Sequence, residues 1–166
     1  LGDVYKRQAF YLANTGRKGP VVIDFPKDMG VLTSSAPLEE EVHLPSYQVT
    51  ENPNKEDIQQ LSQYLNHAKK PVVLAGAGIN HSKSNALLTE FVTQHQIPVV
   101  TTLLGLGAIS YENPLFLGMG GMHGSYASNM ALTECDLLIN LGSRFDDRLA
   151  SNPNEFAPNA KAVSYT

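Results

Sequence analysis

Two arginines and two aspartates surround a phenylalanine in Arg144-Phe-Asp-Asp-Arg148. A guanidinium offers a planar fork of donors that can grip phosphate or carboxylate. The aspartates can accept from hydroxyl groups, or they can hold the arginines in place. Just before this cluster runs Asp136-Leu-Leu-Ile-Asn-Leu-Gly142, apolar but for one asparagine and closed by Gly142-Ser143. Such a run predicts a strand buried on both faces of a parallel sheet. Charges packed just past the carboxyl end of a buried strand occupy the place where open α/β sheets bind ligands. The same residues would also make an ordinary salt-bridged surface loop, and the stretch alone leaves both readings open.

Glycines add to the ligand reading. Three predicted strands end in glycine-bearing turns: Gly76-Ala77-Gly78, Gly105 with Gly107, and Gly142. In a parallel sheet these turns open on one edge, where glycine lets a ligand approach the backbone closely. Each turn alone has a steric explanation as well. Together with Gly118, Gly120, Gly121 and Gly124, they suit an extended ligand of dinucleotide length lying along that edge. The usual dinucleotide fingerprint is missing, because the third glycine would fall at position 81, which is histidine. The Walker phosphate loop is absent too.

The elements that must position these residues alternate between strand and helix. Ala9–Asn14 reads as the end of a helix, Val21–Phe25 as a short strand closed by Pro26, and Lys27–Asn52 as a stretch without sustained period. A segment that long predicts an interdomain linker, with a boundary near residue 50. Beyond it, Asn54 begins a helix carrying Ile58, Leu61, Leu65 and Ala68 on one face. Val72–Ala75, a helix from about Ser84 to His95, Ile97–Thr102, a helix from about Ser125 to Thr133, the 136–142 strand and a strand from Lys161 complete the pattern. Short connections between alternating units predict an α/β fold: a Rossmann-like, doubly wound parallel sheet with right-handed crossovers. The expected organisation is residues 1–8 as a non-native leader, 9–28 as the end of one domain, and 29–53 as a linker. Residues 54–162 then form the nucleotide-binding domain, and 163–166 are a non-native or truncated end.

Bulk properties exclude several classes. A chain of 166 residues with net charge −4 and no basic block has no electrostatic footprint for nucleic acid. No apolar run approaches the roughly 20 residues that span a bilayer. The single Cys135 rules out an internal disulfide and any paired-cysteine zinc site, and its place beside a buried strand predicts a core residue. A cytoplasmic protein fits these properties. The five histidines show no metal-binding spacing. His123 alone sits in a glycine-rich loop, as a loop residue or a ligand contact. Met119 and Met122 could fill a core gap or line a ligand, and Glu39–Glu41 reads as a solvated charge run. Ser125 lacks a nucleophile-elbow context, which removes a hydrolase.

The ordered set of motifs resembles a known superfamily. Gly16-Arg-Lys-Gly-Pro-Val-Val-Ile-Asp-Phe-Pro-Lys-Asp28 resembles the end of the first domain of thiamine-diphosphate-dependent decarboxylases and ligases. Lys70–Ile79, Thr101–Gly107, Gly121–Gly124 and Arg144–Arg148 resemble its central domain. The last two, in that order and spacing, are similar to the acetohydroxyacid (acetolactate) synthase large-subunit family. The resemblance implies an enzyme that condenses two 2-oxo acids, pyruvate with pyruvate or 2-oxobutyrate, with decarboxylation, in branched-chain amino acid synthesis. It implies thiamine diphosphate, Mg2+, and an FAD of mainly structural role held by the central domain. It also implies a homodimer or tetramer, with a regulatory small subunit as a further partner. Carried over by position, the flavin nucleotide would contact Arg17, Gly76, Ala77, Gly78, Thr102, Leu103, Gly121, Met122, His123, Gly142, Ser143, Arg144, Asp146, Asp147 and Arg148. In that family the glutamate that activates thiamine lies before Ala9 and the magnesium-diphosphate motif beyond Thr166, so no catalytic residue is expected in this chain.

Other readings share some of these residues. Pyruvate oxidase and glyoxylate carboligase also combine thiamine diphosphate with FAD, and a flavin-free catabolic acetolactate synthase shares the fold. The Arg144–Arg148 loop favours the biosynthetic family. An NAD-dependent deacylase would resemble the Gly-Ala-Gly-Ile turn but needs four zinc cysteines where this chain has one. A non-catalytic nucleotide-binding module remains the reading from a different class.

Overall fold

In the computed structural model, residues 2–33, 35, 42, 44–49 and 52–165 are described. Glu39–Glu41 and His43 lie outside the described residues. The chain divides into two compact units, Leu1–Asn54 and Lys55–Thr166.

Among its described residues the first unit contains one α-helix, α1 (Gly2–Asn14). It begins upstream of Ala9, within the segment expected to be a leader. Thr15 ends it by donating backbone N–H and hydroxyl to the Tyr11 carbonyl, and the Tyr11 ring meets Tyr47 edge-on at 5.9 Å. A 3-10 turn follows at Lys27–Val31. The expected strand at Val21–Phe25 does not form. This largely apolar run takes no regular secondary structure, and Val22 is 92% exposed. Strand propensity needs a neighbouring ladder to become a strand, and no described segment of this unit provides one.

The second unit is built on apolar runs too short for anything but buried strands. It contains α2 (Lys55–His67), β1 (Pro71–Ala75), α3 (Ala77–His81), α4 (Asn85–His95), β2 (Val99–Thr101), β3 (Phe116–Met119), α5 (Tyr126–Glu134), β4 (Leu137–Leu141) and β5 (Lys161–Tyr165). All strand pairs are parallel, in the order β3-β2-β1-β4-β5. Val73, Leu74, Val99, Val100 and Leu137 to Ile139 are at most 1% exposed, as expected where both faces are covered. One face carries Leu61 and Leu65 of α2, Ile79 of α3, and Leu88 and Val92 of α4. Leu132 of α5, with Leu149 and Phe156, covers the other. The expected Rossmann-like, doubly wound α/β sheet is therefore present.

Two features depart from the sequence pattern, and a third, at the end of the chain, adds to it. Gly76-Ala-Gly78 does not form an open turn but leads directly into the short helix α3. Phe116–Met119, to which the sequence pattern assigned no element, forms β3, a half-buried edge strand whose register with β2 shifts between Val99 and Val100. Residues 163–165, expected as a non-native or truncated end, continue β5 in register with β4. No described helix is long and apolar enough to cross a membrane.

Candidate functional site: the carboxyl edge of the sheet

The strand order reverses between β1 and β4, and a crevice at such a switch point is where open α/β sheets hold ligands. Here the two strand ends meet almost backbone to backbone. A Cβ on Gly76 would overlap the Gly142 carbonyl oxygen, and one on Gly78 would lie 2.6 Å from the Gly142 Cα. Gly76 N–H donates to Leu141 O at 2.8 Å and Gly78 N–H to Gly142 O at 2.9 Å. Gly142 itself has φ +65°, a conformation that side chains disfavour. Three of the glycines that suggested a ligand are thus required first by the packing of one turn on the other.

Beyond Gly142 the loop direction is set by Asn140, the one polar residue inside β4. Its fully buried carboxamide donates to Ser143 O at 2.7 Å and to Ser164 Oγ at 2.8 Å, and its Oδ1 accepts the Ser143 hydroxyl. Ser143 is buried, whereas Arg144, Phe145, Asp147 and Arg148 are exposed. Asp146 closes the loop by accepting the N–H groups of Arg148 at 3.2 Å and Leu149 at 3.3 Å. Its other oxygen lies 3.5 Å from Arg144 Nε, and Asp147 lies 3.9 Å from Arg148 Nε. The reading as a salt-bridged surface loop is met in part. The pairs exist, yet they are long and exposed, so both guanidinium groups remain open to an anion.

The segment after β2 packs beside this junction. Thr102 N–H donates to Ala75 O at 3.0 Å, and the Thr102 hydroxyl caps a 3-10 turn, Leu103–Gly105, by accepting from Gly105 N. Asn80 of α3 reaches across to the Leu104 and Leu106 carbonyls at 3.3 and 3.2 Å. The segment after β3 joins from the other side: Met122 N–H donates to Arg148 O at 3.1 Å, and Met122 and His123 are exposed. Ser125 caps α5 by accepting the Ser128 N–H.

The fold therefore brings Gly76, Ala77, Gly78, Thr102, Leu103, Gly121, Met122, His123, Gly142, Ser143, Arg144, Asp146, Asp147 and Arg148 to the carboxyl ends of β1, β2, β3 and β4. Arg17 belongs to the first unit, where it is exposed. Sequence reading missed three asparagines that fix these loops: Asn80, Asn129 and Asn140. Asn140 had a legible signal, a lone polar residue in an apolar strand. Among the described residues no three His, Cys, Asp or Glu side chains gather as a metal site.

The edge also suits the flavin dinucleotide implied by the resemblance. The amides of Ser143 and Arg144 donate to no acceptor among the described residues, and they lie beside an open guanidinium at a glycine junction. Backbone donors together with a cation are what a diphosphate requires.

Residues 58–165 match the profile of the thiamine pyrophosphate enzyme central domain. The chain belongs to that family. As a thiamine pyrophosphate enzyme central domain, it is 53% identical over 153 residues to the acetolactate synthase large subunit of Lactococcus lactis subsp. lactis, covering 92% of this chain and 27% of that protein. It is 42% identical over 159 residues to the acetolactate synthase large subunit of Haemophilus influenzae, covering 95% and 28%. Against the mitochondrial acetolactate synthase catalytic subunit of Saccharomyces cerevisiae, it is 43% identical over 165 residues, covering 95% and 24%. The central-domain chain thus spans about a quarter of the length of the curated relatives it matches.

Proposed function

We propose that this chain is the FAD-holding part of an acetolactate synthase large subunit. In this reading residues 9–28 end the domain that binds the thiamine pyrimidine, 29–53 form a linker, and 54–162 form the flavin domain. The observation that carries it is the convergence of the Gly76–Gly142 junction, the Gly121–His123 turn and the Arg144–Arg148 loop on one sheet edge. The 53% identity to the Lactococcus protein supports the choice of enzyme.

The parent condenses pyruvate with pyruvate or 2-oxobutyrate and releases carbon dioxide. Thiamine diphosphate with Mg2+ supplies that chemistry, and FAD serves mainly as structure. Arg144 and Arg148, with the Ser143 and Arg144 amides, would hold the flavin's diphosphate, while Asp146 and Asp147 would accept from ribose or orient the guanidinium groups. Gly76, Ala77, Gly78, Thr102, Leu103, Met122 and His123 would line the rest, and the resemblance adds Arg17 as a further contact. No residue of this chain is given a catalytic role. The name large subunit, carried by the relatives, supports a smaller regulatory partner. A homodimer or tetramer and a cytoplasmic setting belong to the same reading.

The test is a titration of the full chain with FAD, followed by flavin fluorescence, with NAD as control and circular dichroism to verify folding. Saturable FAD binding without an NAD response is the expected result. A folded chain that ignores FAD would overturn the cofactor assignment.

A further inference from the structure

Asn129, on α5, grips both backbone groups of a single residue, Gly121. Its Oδ1 accepts the Gly121 N–H at 2.8 Å, and its Nδ2 donates to the Gly121 carbonyl at 3.0 Å. The side that Asn129 leaves free is filled by the charged loop. A Cβ on Gly121, where φ is +102°, would lie 2.6 Å from the Arg148 carbonyl oxygen, and the same oxygen accepts the Met122 N–H. One carboxamide thus fixes a turn, and that turn carries the end of the 144–148 loop.

We propose that Asn129 is the positioning residue of the flavin site: by clamping Gly121 it locks the 121–123 turn onto the Arg148 carbonyl, so that turn and charged loop meet a nucleotide as one surface. This rests on the FAD reading given above. The chemistry of the clamp is selective. Only a group carrying both a donor and an acceptor can serve the N–H and the carbonyl of Gly121 together. An ionised carboxylate in its place would keep the N–H bond but set an oxygen against the Gly121 carbonyl. A protonated carboxyl would restore both bonds. The charged or titratable groups of the two clamped segments are His123, Arg144, Asp146, Asp147 and Arg148. All are present in the unmodified chain, so its own pH profile serves as the reference.

The test uses the full chain and the variants Asn129→Ala and Asn129→Asp, with two readouts. Amide hydrogen exchange without ligand should show Met122 protection reduced at least tenfold in the alanine variant. It should fall similarly in the aspartate variant at pH 8 and recover as the introduced carboxyl is protonated at lower pH, while amides of β1 and β4 stay unchanged. FAD affinity should follow the same pattern, at least tenfold weaker in Asn129→Ala and in Asn129→Asp at pH 8, and recovering in Asn129→Asp as that carboxyl is protonated. Unchanged Met122 protection in both variants would overturn the clamp. So would weakened FAD binding in the aspartate variant that does not recover once its introduced carboxyl is protonated. An unmodified chain that ignores FAD overturns the cofactor reading instead, and the exchange data still decide the clamp.

Discussion

Gly76 and Gly142 face each other across the ends of two adjacent parallel strands, so close that a methyl group on Gly76 would overlap the Gly142 carbonyl. This contact lies at the point where the strand order reverses, and nothing larger than a hydrogen atom fits there. Replacing Gly76 by alanine should therefore force the β1 and β4 ends apart, at a cost of about 2–4 kcal/mol. Gly19→Ala is the control, since nothing lies within 4 Å of a Cβ there, and it should stay within about 0.5 kcal/mol of the unmodified chain. Urea midpoints of the two variants decide this. Equal midpoints would refute the packing requirement.

Removing the Asn140 side chain should be similarly severe. Asn140→Ala breaks bonds to Ser143 and Ser164 and leaves the Ser143 hydroxyl without its acceptor inside the protein. Leaving buried polar groups unsatisfied costs about 1–3 kcal/mol. Thermal unfolding with the matched variant Ser164→Ala, which loses a single bond, should show the smaller loss.

Arg144→Ala separates function from stability. The guanidinium is exposed and its partner is 3.5 Å away, so unfolding should change by less than about 1 kcal/mol. FAD retention should fall at least tenfold. Unchanged flavin occupancy would remove Arg144 from the site.

At the opposite end of the sheet, Asp136 ties the α2–β1 connection to β4. Its carboxylate accepts the Lys69 N–H at 2.7 Å and the Lys70 N–H at 2.9 Å. The Lys69 amide, ahead of the Lys70 amide, holds its pKa below the usual 3.8. A carboxyl depressed in the folded state contributes stability that is complete above its unfolded pKa and lost as pH falls through the folded one. Asp136→Asn should therefore flatten the acid limb of a stability curve measured from pH 6 to pH 3. An acid limb as steep as that of the unmodified chain would count against it.

Cys135 gives a chemical test of the core. The thiol is 1% exposed, donates to Leu132 O, and is pushed up to about 11, first by burial. At pH 7 roughly one molecule in ten thousand carries the thiolate. Labelling by a thiol reagent should be negligible in the folded chain and complete in denaturant.

Parts of this structure were legible in the sequence for a physical reason: a strand buried on both faces must be apolar along its whole length. Val72–Ala75 and Leu137–Leu141 announce themselves that way, and their glycine ends locate the edge. Phe116–Met119 does not, because an edge strand is only half-buried and this one contains Gly118 at φ +108°. Val21–Phe25 misled in the opposite direction, since its composition is that of a strand but the described residues of its unit offer no pairing neighbour. The clamp by Asn129 was invisible because its bonds link α5 back to a turn eight residues earlier, a spacing that no helical period marks.

The junction of Gly76, Gly78 and Gly142 has one more consequence. Backbone pressed on backbone leaves no side chain to re-rotamer and no space to yield, so the base of the crevice is a rigid anvil. Any accommodation of one ligand over another must come from Met122, His123, Arg144 and Arg148, whose side chains all face solvent. Changes of specificity should therefore accumulate on that upper rim, while the glycines beneath it tolerate nothing at all.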